Sequence, residues 1–422
     1  MSLSEQQQLE ERYLMHTYGR LPVQFVRGTN SLLFDDAGAK YLDFFSGIGV
    51  ISCGHANEQV NMAIKKQLDM LLHVGNYYYV QGRGELAEKL NMLLNKGLLL
   101  DDKQDHARSL LTGEQPESCA TVWKTFFVNS GTEANEGAIK IARKHGVQNL
   151  DGAMTIISAK RSFHGRTLGA LAATGQPVKQ EAFGAMPAGF KHVELNDLDA
   201  LINVLDDKNQ PACAIILESI QGEGGIWPCD STYLREVREL SASRNICLII
   251  DEVQSGFYRS GGYPFAFQHY GIIPDVVSLA KGMGNGFPVG AFCAKDKFGE
   301  LLQPGEHGST FGGNPLAVCA ANAVIDFLEK NEIAKNVREN GAVLLDMLKT
   351  LPHVVDVRGR GFMIGIQLDV KSAHDVVKMA LAKHLVINAT SANTLRLLPV
   401  LTCNREDVNI ALEILSAVLN EL

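Results

Sequence analysis

An acid and an amine stand at the ends of two short apolar runs near the middle of the chain. The run 246–250 is followed by Asp251, and the run 276–280 is followed by Lys281. Short apolar runs bounded by turn residues are typical of strands buried on both faces of a parallel sheet. Ligands of open α/β sheets bind beyond the carboxyl ends of the strands. The sequence therefore predicts that both side chains lie at one sheet edge and face one ligand.

The chemistry open to such a pair is that of carbonyl compounds. A lysine amine can form a Schiff base with a carbonyl group, and Asp is the usual partner of the pyridinium nitrogen of pyridoxal phosphate (PLP). We hypothesise that Lys281 carries PLP and that Asp251 pairs with its ring nitrogen. Gly282, Gly284 and Gly286 follow the lysine and would let the backbone approach a ligand. On these residues alone, two strand-end side chains that face solvent remain an alternative.

A second candidate site is a helix start that could bind an anion. Ser130, Gly131 and Thr132 follow a strand-like run and open a helical pattern. The first N–H groups of a helix are unpaired and its dipole is positive there, which suits a phosphate. The segment lacks the GxxxxGK[ST] spacing, so a nucleotide is not implied. A plain helix cap is the alternative.

The loop after the next strand-like run combines an aromatic ring with two basic side chains. Phe163 is suited to cover one face of a planar cofactor ring, and His164 could stack on that ring or be structural. Arg166 is suited to bind a carboxylate through two hydrogen bonds. A surface position for Arg166 is the alternative.

Further candidates lie later in the chain. Glu218 ends a strand-like run, and the flexible residues around Glu223 would let it approach a ligand or another side chain; a tight turn with a solvated Glu is the alternative. Ser309 and Thr310 could donate to a phosphate held by a second subunit. Arg396 lies inside an apolar run, and burying an unpaired guanidinium is costly. We therefore expect it to meet an anion, either a substrate carboxylate or Glu223.

The elements that must position these residues alternate between strands and helices from residue 121 onward, which predicts an α/β fold. The expected strands are 121–128, 153–159, 212–218, 246–251, 276–281 and 290–294, and the expected helices between them are 132–146, 195–207 and 230–244. Earlier in the chain we expect a helix over 1–20, a hairpin within 21–47, helices in 58–98 with a break near 75–76, and a surface loop at 99–120.

Composition limits the possible partners. The chain has 422 residues, 46% of them hydrophobic, and a net charge of −8, which argues against a nucleic-acid or membrane-surface partner. No apolar run approaches the roughly 18 residues of a membrane helix, and the polar N-terminus does not resemble a signal peptide. None of the eight cysteines forms a CxxC pair, so we expect a reducing, cytoplasmic location and no metal site.

Taken in order, the motifs resemble class III PLP-dependent aminotransferases, the ornithine and 4-aminobutyrate type. The segments that carry the resemblance are NSGTEANEGAIK, FHGRTLGAL, QGEGG, DEVQSGFYRSG, AKGMGNGFPVGA, HGSTFGGNPLA and LRLLP. Within that class, RLPVQFVRG, YLDFFSGIGV, HVGNYYY and ATGQ are most similar to acetylornithine aminotransferases. The resemblance runs from about Tyr18 to the end of the chain.

The resemblance implies fold type I, with a mixed, mostly parallel sheet in a large domain and a smaller α+β domain built from both chain ends. The implied boundaries are 58–305 for the large PLP-binding domain, and 1–57 with 306–422 for the small one. It also implies a homodimer whose active sites are shared between the subunits.

The resemblance assigns roles to the candidate residues. Lys281 would be the Schiff-base lysine, Asp251 the ring-nitrogen partner, and Phe163 the stacking ring. The other cofactor residues would be Val253 on the ring, Gln254 at its phenolic oxygen, Gly131 and Thr132 at the phosphate with Thr310 of the other subunit, and Ser130, His164 and Glu218 nearby. The substrate residues would be Arg166 at the remote carboxylate, Arg396 at the α-carboxylate, Glu223 as the partner of Arg396, and Ser309.

The implied reaction is a ping-pong transamination. The terminal amino group of N2-acetylornithine would pass to 2-oxoglutarate, giving N-acetylglutamate 5-semialdehyde and glutamate, a step of arginine biosynthesis. Ornithine, succinylornithine and 4-aminobutyrate aminotransferases are rivals within the class. A PLP-binding regulator without turnover and an intramolecular aminomutase are rivals outside it.

Overall fold

The computed structural model describes residues 2–96 and 121–422. The surface loop predicted at 99–120, the last residues of the segment 58–98 and Cys119 lie outside the described residues.

The described strands and helices follow the α/β order expected from the sequence. The strands are β1 Phe25–Thr29, β2 Leu32–Asp35, β3 Lys40–Asp43, β4 Trp123–Val128, β5 Thr155–Ala159, β6 Phe190–Val193, β7 Ala212–Leu217, β8 Ile220–Gln221, β9 Trp227–Pro228, β10 Cys247–Asp251, β11 Val276–Leu279, β12 Gly290–Lys295, β13 Val354–Arg360, β14 Met363–Leu368, β15 Leu385–Val386, β16 Asn388–Ser391 and β17 Thr394–Leu397. The helices are α1 Leu3–Tyr13, α2 Ser46–Gly49, α3 Glu58–Leu68, α4 Arg83–Asn95, α5 Gly131–Asn149, α6 Leu168–Ala173, α7 Leu198–Leu205, α8 Ser231–Ser243, α9 Asp296–Gly299, α10 Pro315–Lys330, α11 Ile333–Leu348, α12 Ala373–Ala382 and α13 Arg405–Leu419. Short 3₁₀ segments span Pro177–Lys179, Glu181–Phe183, Ala266–Tyr270 and Lys281–Met283.

The central sheet has seven strands in the order β4-β12-β11-β10-β7-β5-β6. The strands from β11 to β6 pair in parallel, whereas β12 runs antiparallel to both of its neighbours. Every residue of β7, β10 and β11 is buried, because helices and loops cover both faces of the sheet. The mixed, mostly parallel α/β sheet predicted from the apolar runs is confirmed.

Three of the predicted strand ends are wrong by one or two residues, and one of them is the end of β12, which is Lys295 rather than 294. The strand predicted to end at Lys281 ends at Leu279, where its pairing with Ala291 of β12 stops. Lys281 opens a 3₁₀ turn with φ of 44°, and the turn is held by a hydrogen bond from the Ser52 hydroxyl to the Gly282 carbonyl. The strand predicted to end at Glu218 likewise ends one residue earlier. The sheet edge still brings these side chains to its carboxyl end.

Helix α5 lies tightly against the sheet. Its predicted bounds of 132–146 extend to Gly131–Asn149, and its apolar stripe is buried. Gly137 explains the close approach, because a Cβ there would lie 2.1 Å from the Phe292 ring of β12. This packing fixes where the first turn of α5 meets the carboxyl ends of the strands.

Strands from both ends of the chain share one small sheet, with the order β1-β2-β3-β15. The hairpin predicted within 21–47 is formed by the antiparallel pair β2–β3, and β15 adds in parallel to β3. The chain ends also meet beside α2, where the Ser46 hydroxyl donates to the Leu398 carbonyl at 2.6 Å and the Leu398 N–H donates to the Phe44 carbonyl at 2.7 Å. The domain boundaries at 57/58 and 305/306 stay predictions.

The N-terminal helix is shorter than expected and stands apart from the core. It spans Leu3–Tyr13 rather than most of 1–20, and none of its residues is buried. Within the described ranges, we find no helix with both the length and the apolar character needed to cross a membrane.

Candidate active site

A cavity of about 370 Å³ lies at the carboxyl ends of β7, β10 and β11. Asp251 is the last residue of β10, and Lys281 follows the neighbouring β11 by two residues. Twelve of the residues predicted from the sequence line this cavity: Ser130, Gly131, Thr132, Phe163, His164, Arg166, Glu218, Glu223, Asp251, Val253, Gln254 and Lys281. The two neighbouring parallel strands therefore bring the predicted acid and amine to the wall of the same cavity.

The Asp251 carboxylate is held by three donors. Oδ2 accepts from Nδ2 of Asn135 at 2.7 Å and from Nδ1 of His164 at 2.9 Å, and Oδ1 accepts from the Val253 N–H at 3.0 Å. A carboxylate offers about four lone-pair positions, so Asp251 can still accept a further donor. The buried Nε2 of His164 has no hydrogen-bond partner among the described residues.

The amine of Lys281 is enclosed by protein and touches the cavity. Burial lowers its pKa, an effect that Glu223 opposes and Arg396 reinforces. A lowered pKa increases the fraction of neutral amine, which is the form that attacks carbonyl groups and accepts protons. The Lys281 backbone adopts the left-handed region, with φ of 44°.

Glu218 holds the loop that carries the aromatic ring of the site. Its Oε1 accepts from the Phe163 N–H and its Oε2 accepts from the Gly222 N–H, both at 2.9 Å. Burial raises the pKa of Glu218 to about 7, while His164 lowers it and Asp251 raises it. Glu218 therefore positions the backbone of Phe163 as well as lining the cavity.

The first turn of α5 contains both a helix cap and unpaired N–H groups, the two alternatives that the sequence left open. The Ser130 hydroxyl accepts from the Glu133 N–H at 3.3 Å, which is a helix cap. The N–H groups of Gly131 and Thr132 are the first two of the helix and have no intrahelical acceptor. A Cβ at Gly131 would lie 2.6 Å from Cγ1 of Val253, so the close approach of this turn to the cavity wall requires glycine.

The Arg396 guanidinium is paired with Glu223, one of the two anions expected for it. Its Nη1 donates to Oε1 of Glu223 at 2.5 Å and to Oε1 of Gln254 at 3.3 Å, and its Nε donates to Oδ1 of Asn388 at 3.2 Å. Arg396 is only 1% exposed. Burial is the largest influence and would raise the pKa of Glu223, but the charge and hydrogen bond of Arg396, together with the charge of Lys281 and a hydrogen bond from Gln254, lower the pKa overall. The pair is therefore ionic and lies at the side of the cavity.

Two predicted residues lie away from the cavity of their own chain. The Ser309 hydroxyl accepts from Nδ2 of Asn129 at 3.3 Å and from the Gly312 N–H at 2.9 Å, within its own turn. Thr310 is exposed and does not line the cavity. The predicted substrate role of Ser309 and the predicted role of Thr310 in a second subunit stay predictions.

Sequence reasoning missed Asn135, which bridges two parts of the site. Its Nδ2 donates to Oδ2 of Asp251 and to the His164 carbonyl, each at 2.7 Å, and the residue is 1% exposed. One signal was available, because Asn135 is a polar residue one turn after Gly131, amid the small apolar residues of α5. The partner Asn388 of Arg396 was also missed, and its position in β16 gives no such signal.

Comparisons with known proteins agree with this geometry. The sequence model of the family described as aminotransferase class-III matches residues 13–419. The acetylornithine aminotransferase of Caldanaerobacter subterraneus subsp. tengcongensis is 42% identical over 418 residues, covering 98% of this chain and 98% of the relative. The acetylornithine aminotransferase of Aquifex aeolicus is 42% identical over 407 residues, covering 96% of this chain and all of the relative.

A solved structure supports the same assignment. The ornithine aminotransferase of Toxoplasma gondii, crystallised in the presence of oxidised glutathione and with PLP partially occupying its active site, superposes with a TM-score of 0.87 at 26% identity; the match covers all of this chain and 94% of that one. The fold is thus that of the fold type I PLP-dependent transferases. The chain belongs to the class-III aminotransferase family, and it is an aminotransferase.

Proposed function

We propose that this aminotransferase uses PLP to move the terminal amino group of N2-acetylornithine to 2-oxoglutarate, as in arginine biosynthesis. The observation that carries the proposal is the Glu223–Arg396 pair in the wall of the cavity that also holds Lys281 and Arg166. The site must accept an amine donor that has no carboxylate beside its reacting amine, and it must also accept a dicarboxylate. An arginine that Glu223 can cover or release suits both substrates. The names of the 42% identical relatives support the same donor.

The residues present fit the cofactor. Asp251 can accept one more donor, which suits a protonated ring nitrogen, and Nε2 of buried His164, which has no partner in the described part of the chain, leaves a second polar atom free in the same wall. The N–H groups of Gly131 and Thr132 suit a phosphate. Phe163 and Val253 would contact the ring and Gln254 its phenolic oxygen, as the family resemblance implies. PLP when bound supplies an aldehyde for the amine and an aromatic ring that takes up electrons.

Lys281 carries the proton transfers. Its burial keeps the Nζ amine neutral more readily than in solvent, so Nζ can accept a proton from the substrate carbon that bears the reacting amine and later return it. Asp251 keeps a proton on the ring nitrogen, because its negative charge favours the protonated form. His164 and Asn135 fix the carboxylate in that position through Oδ2.

The two arginines allow the site to bind the amine donor and the oxo-acid acceptor in different ways. Arg166 lies at the exposed rim of the cavity and would bind the carboxylate remote from the reacting amine. With the donor bound, Glu223 stays on Arg396 and hides it. With 2-oxoglutarate, Glu223 would withdraw and Arg396 would bind the carboxylate beside the keto group. Gln254 and Asn388 would keep the guanidinium hydrogen-bonded during this exchange.

We further propose that the protein is a homodimer whose active sites are shared between the subunits, and that it is cytoplasmic. Tyr77 and Tyr79 are fully exposed at 99% and 106%, and Phe311 is 61% exposed next to exposed Thr310. Large exposed apolar side chains in one region are typical of a protein–protein contact. Thr310 would then reach the phosphate of the partner subunit. The seven cysteines of the described ranges form no disulfide, which suits a reducing compartment.

The proposal is tested by following the cofactor's yellow absorption band in the purified protein supplied with PLP. We expect N2-acetylornithine alone to remove the band, and 2-oxoglutarate to restore it while glutamate forms. Rates with ornithine and 4-aminobutyrate are measured in parallel. A higher kcat/KM for either would overturn the proposed donor, and a band that persists with every amine would show a PLP-binding protein without turnover. Turnover that needs no 2-oxo acid would indicate an aminomutase.

A further inference from the structure

Glu223 is carried by a short loop that is anchored at both ends. The loop 222–226 joins the antiparallel strands β8 and β9 and is called here the Glu223 loop. At its start, the Gly222 N–H donates to Oε2 of Glu218 at 2.9 Å. Its last residue, Ile226, is buried with φ of 58°, a conformation that a β-branched residue adopts only where its surroundings impose it. The contacts at this second end therefore determine the path of the loop.

Arg358 of β13 makes the contacts at the second end. Its Nε donates to the Gly225 carbonyl at 2.9 Å, and its Cζ lies 3.7 Å from the centre of the Trp227 ring. Its Nη1 donates to Oδ2 of Asp356 at 2.7 Å and to Oε1 of Gln367 at 3.1 Å, and the side chain is only 9% exposed. Because several partners fix this planar guanidinium, it holds the Gly225 carbonyl in one place.

The Glu223 loop lies across one row of a small sheet, between two arginines. Arg358 pairs with Gly365 of β14, and Gly365 pairs with Arg396 of β17. Residues that pair in this way point to the same face of a sheet. Gly365 leaves room for the loop, because a Cβ there would lie 2.9 Å from the Gly225 carbonyl oxygen. The carboxylate of Glu223 is thus bound by Arg396, and the backbone of its loop by Arg358.

We propose that Arg358 is a positioning residue for the exchange of partners at Arg396. The inference rests on the proposed function and deepens it. When 2-oxoglutarate replaces Glu223 on Arg396, the loop loses its ionic bond but keeps the bond from Arg358 to the Gly225 carbonyl. The loop then keeps its path while the Glu223 side chain turns away, and the side chain returns when the product glutamate leaves.

Loss of Arg358 releases the second end of the Glu223 loop. Glu223 then covers Arg396 for a smaller fraction of the time, and the uncovered guanidinium can bind the α-carboxylate of glutamate. The consequence is weaker discrimination between glutamate and N2-acetylornithine as amine donors, although Arg358 touches neither of them.

The test compares these two donors in the first half-reaction of the PLP-loaded protein. The first readout is the ratio of their single-turnover rates in the wild type, Arg358→Met and Arg358→Lys, each with and without Glu223→Ala. The second readout is hydrogen exchange of the backbone amides of 222–228 in the same proteins. Arg360→Met is the matched control, because Arg360 is an exposed arginine of the same strand, with Nη1 3.4 Å from Nδ1 of His269.

We expect Arg358→Met to raise the rate with glutamate, relative to that with N2-acetylornithine, about threefold, since the loop loses one hydrogen bond. In the Glu223→Ala background the same substitution should leave the ratio unchanged, because Arg358 acts through Glu223; a general structural role would not produce this dependence. Arg358→Lys should lie between the wild type and Arg358→Met, because an ammonium can still donate to the carbonyl but lacks the planar fork.

Hydrogen exchange in 222–228 should become at least about threefold faster in Arg358→Met, through local opening of the loop, and stay at the wild-type rate in Arg360→Met. The inference would be overturned by an unchanged donor ratio in Arg358→Met, by a further rise of the ratio in the Glu223→Ala background, or by unchanged exchange. No reaction with either donor would instead overturn the proposed function, and this inference with it.

Discussion

Nη1 of Arg396 and Oε1 of Glu223, side chains 173 positions apart in the chain, are joined by a 2.5 Å ionic hydrogen bond. The bond forms at the side of the cavity that holds Lys281, and it neutralises the charge of a buried guanidinium. A site closed in this way presents no cation to the reacting end of an amine such as acetylornithine.

Removing the carboxylate should open the site to glutamate. In Glu223→Ala, we expect glutamate to react about tenfold faster in the first half-reaction relative to N2-acetylornithine, because Arg396 is uncovered; tenfold corresponds to about 1.4 kcal/mol. Single-turnover absorbance of the cofactor measures both rates. Glu194→Ala is the matched control, because Glu194 pairs with Lys160 away from the cavity. Absence of any gain with glutamate would rule out the exchange of partners at Arg396.

Lys281→Met should lower kcat by at least about 10²- to 10⁴-fold, the contribution of a positioned proton-transfer group. The free energy of unfolding of the cofactor-free protein, by contrast, should increase on the same substitution. The pKa of Lys281 in the folded protein lies below its ordinary value of 10.5. At any pH between the folded-state pKa and 10.5, the unfolded chain therefore binds more protons than the folded chain. The stability of the cofactor-free wild type should therefore rise with pH through that window and level off above 10.5.

Met at position 281 removes this titration, so the variant should be more stable than the wild type at neutral pH and approach it as the pH rises. Urea unfolding of both cofactor-free proteins from pH 7 to 10, at one protein concentration, measures the difference. Lys208→Met is the control, because Lys208 is an exposed lysine that does not line the cavity. The same pH slope in the wild type and in Lys281→Met would show that the amine is not disfavoured by burial.

The neighbour of Asp251, Glu252, should give the protein a second pH dependence at lower pH. Burial raises its pKa from 4.5 to about 7, although four donors stabilise its charge, among them the N–H groups of Ala266 and Phe267. The folded chain then binds more protons than the unfolded chain between these values. This group alone should therefore lower the free energy of unfolding by about 3 kcal/mol as the pH rises from 4.5 to 7.

Glu252→Gln should remove that part of the slope, because the amide does not titrate. The variant should also be less stable at every pH in this range, since its NH₂ group would face the Ala266 N–H. Thermal unfolding at fixed concentration from pH 4.5 to 7 gives both results. An unchanged slope would mean that Glu252 stays ionised throughout.

Shared sites in a dimer are tested by complementation between two inactive or weakened variants. Thr310→Val should weaken PLP binding although Thr310 is exposed in its own chain. Mixed dimers of Thr310→Val and Lys281→Met should recover up to about half of the wild-type activity, because one of the two symmetric sites then has both residues intact. Titrating PLP into the mixed and parent dimers provides the measurement. Full PLP affinity in Thr310→Val, or no recovery on mixing, would contradict the shared site.

The sequence predicted those parts of the site that follow from strand chemistry. An apolar run that is buried on both faces can end only where the chain meets solvent or a ligand, so Asp251 and Lys281 could be placed at one sheet edge. The unpaired N–H groups at the start of α5 could be predicted for a similar reason, because the first N–H groups of a helix have no intrahelical acceptor. The family resemblance then supplied a role for each of these residues.

Pairings across the fold could not be predicted in the same way. Gln254 and Asn388 accept hydrogen bonds from Arg396 across 142 and 8 positions, and local patterns do not determine such contacts. The bend after β11 was missed because it depends on Ser52, far away in the chain, donating to the Gly282 carbonyl.

The hydrogen bond between Ser46 and Leu398, 352 positions apart, implies an order of events during synthesis. All seven strands of the central sheet lie before residue 296, so a ribosome can release the entire sheet while Leu398 is still unmade. The segment after Ser46, which carries cavity residue Val50, then lacks its contact with Leu398, and the guanidinium of Arg396 does not yet exist. Nascent chains should therefore acquire a protected core early, and competence to bind substrate only when translation is almost finished.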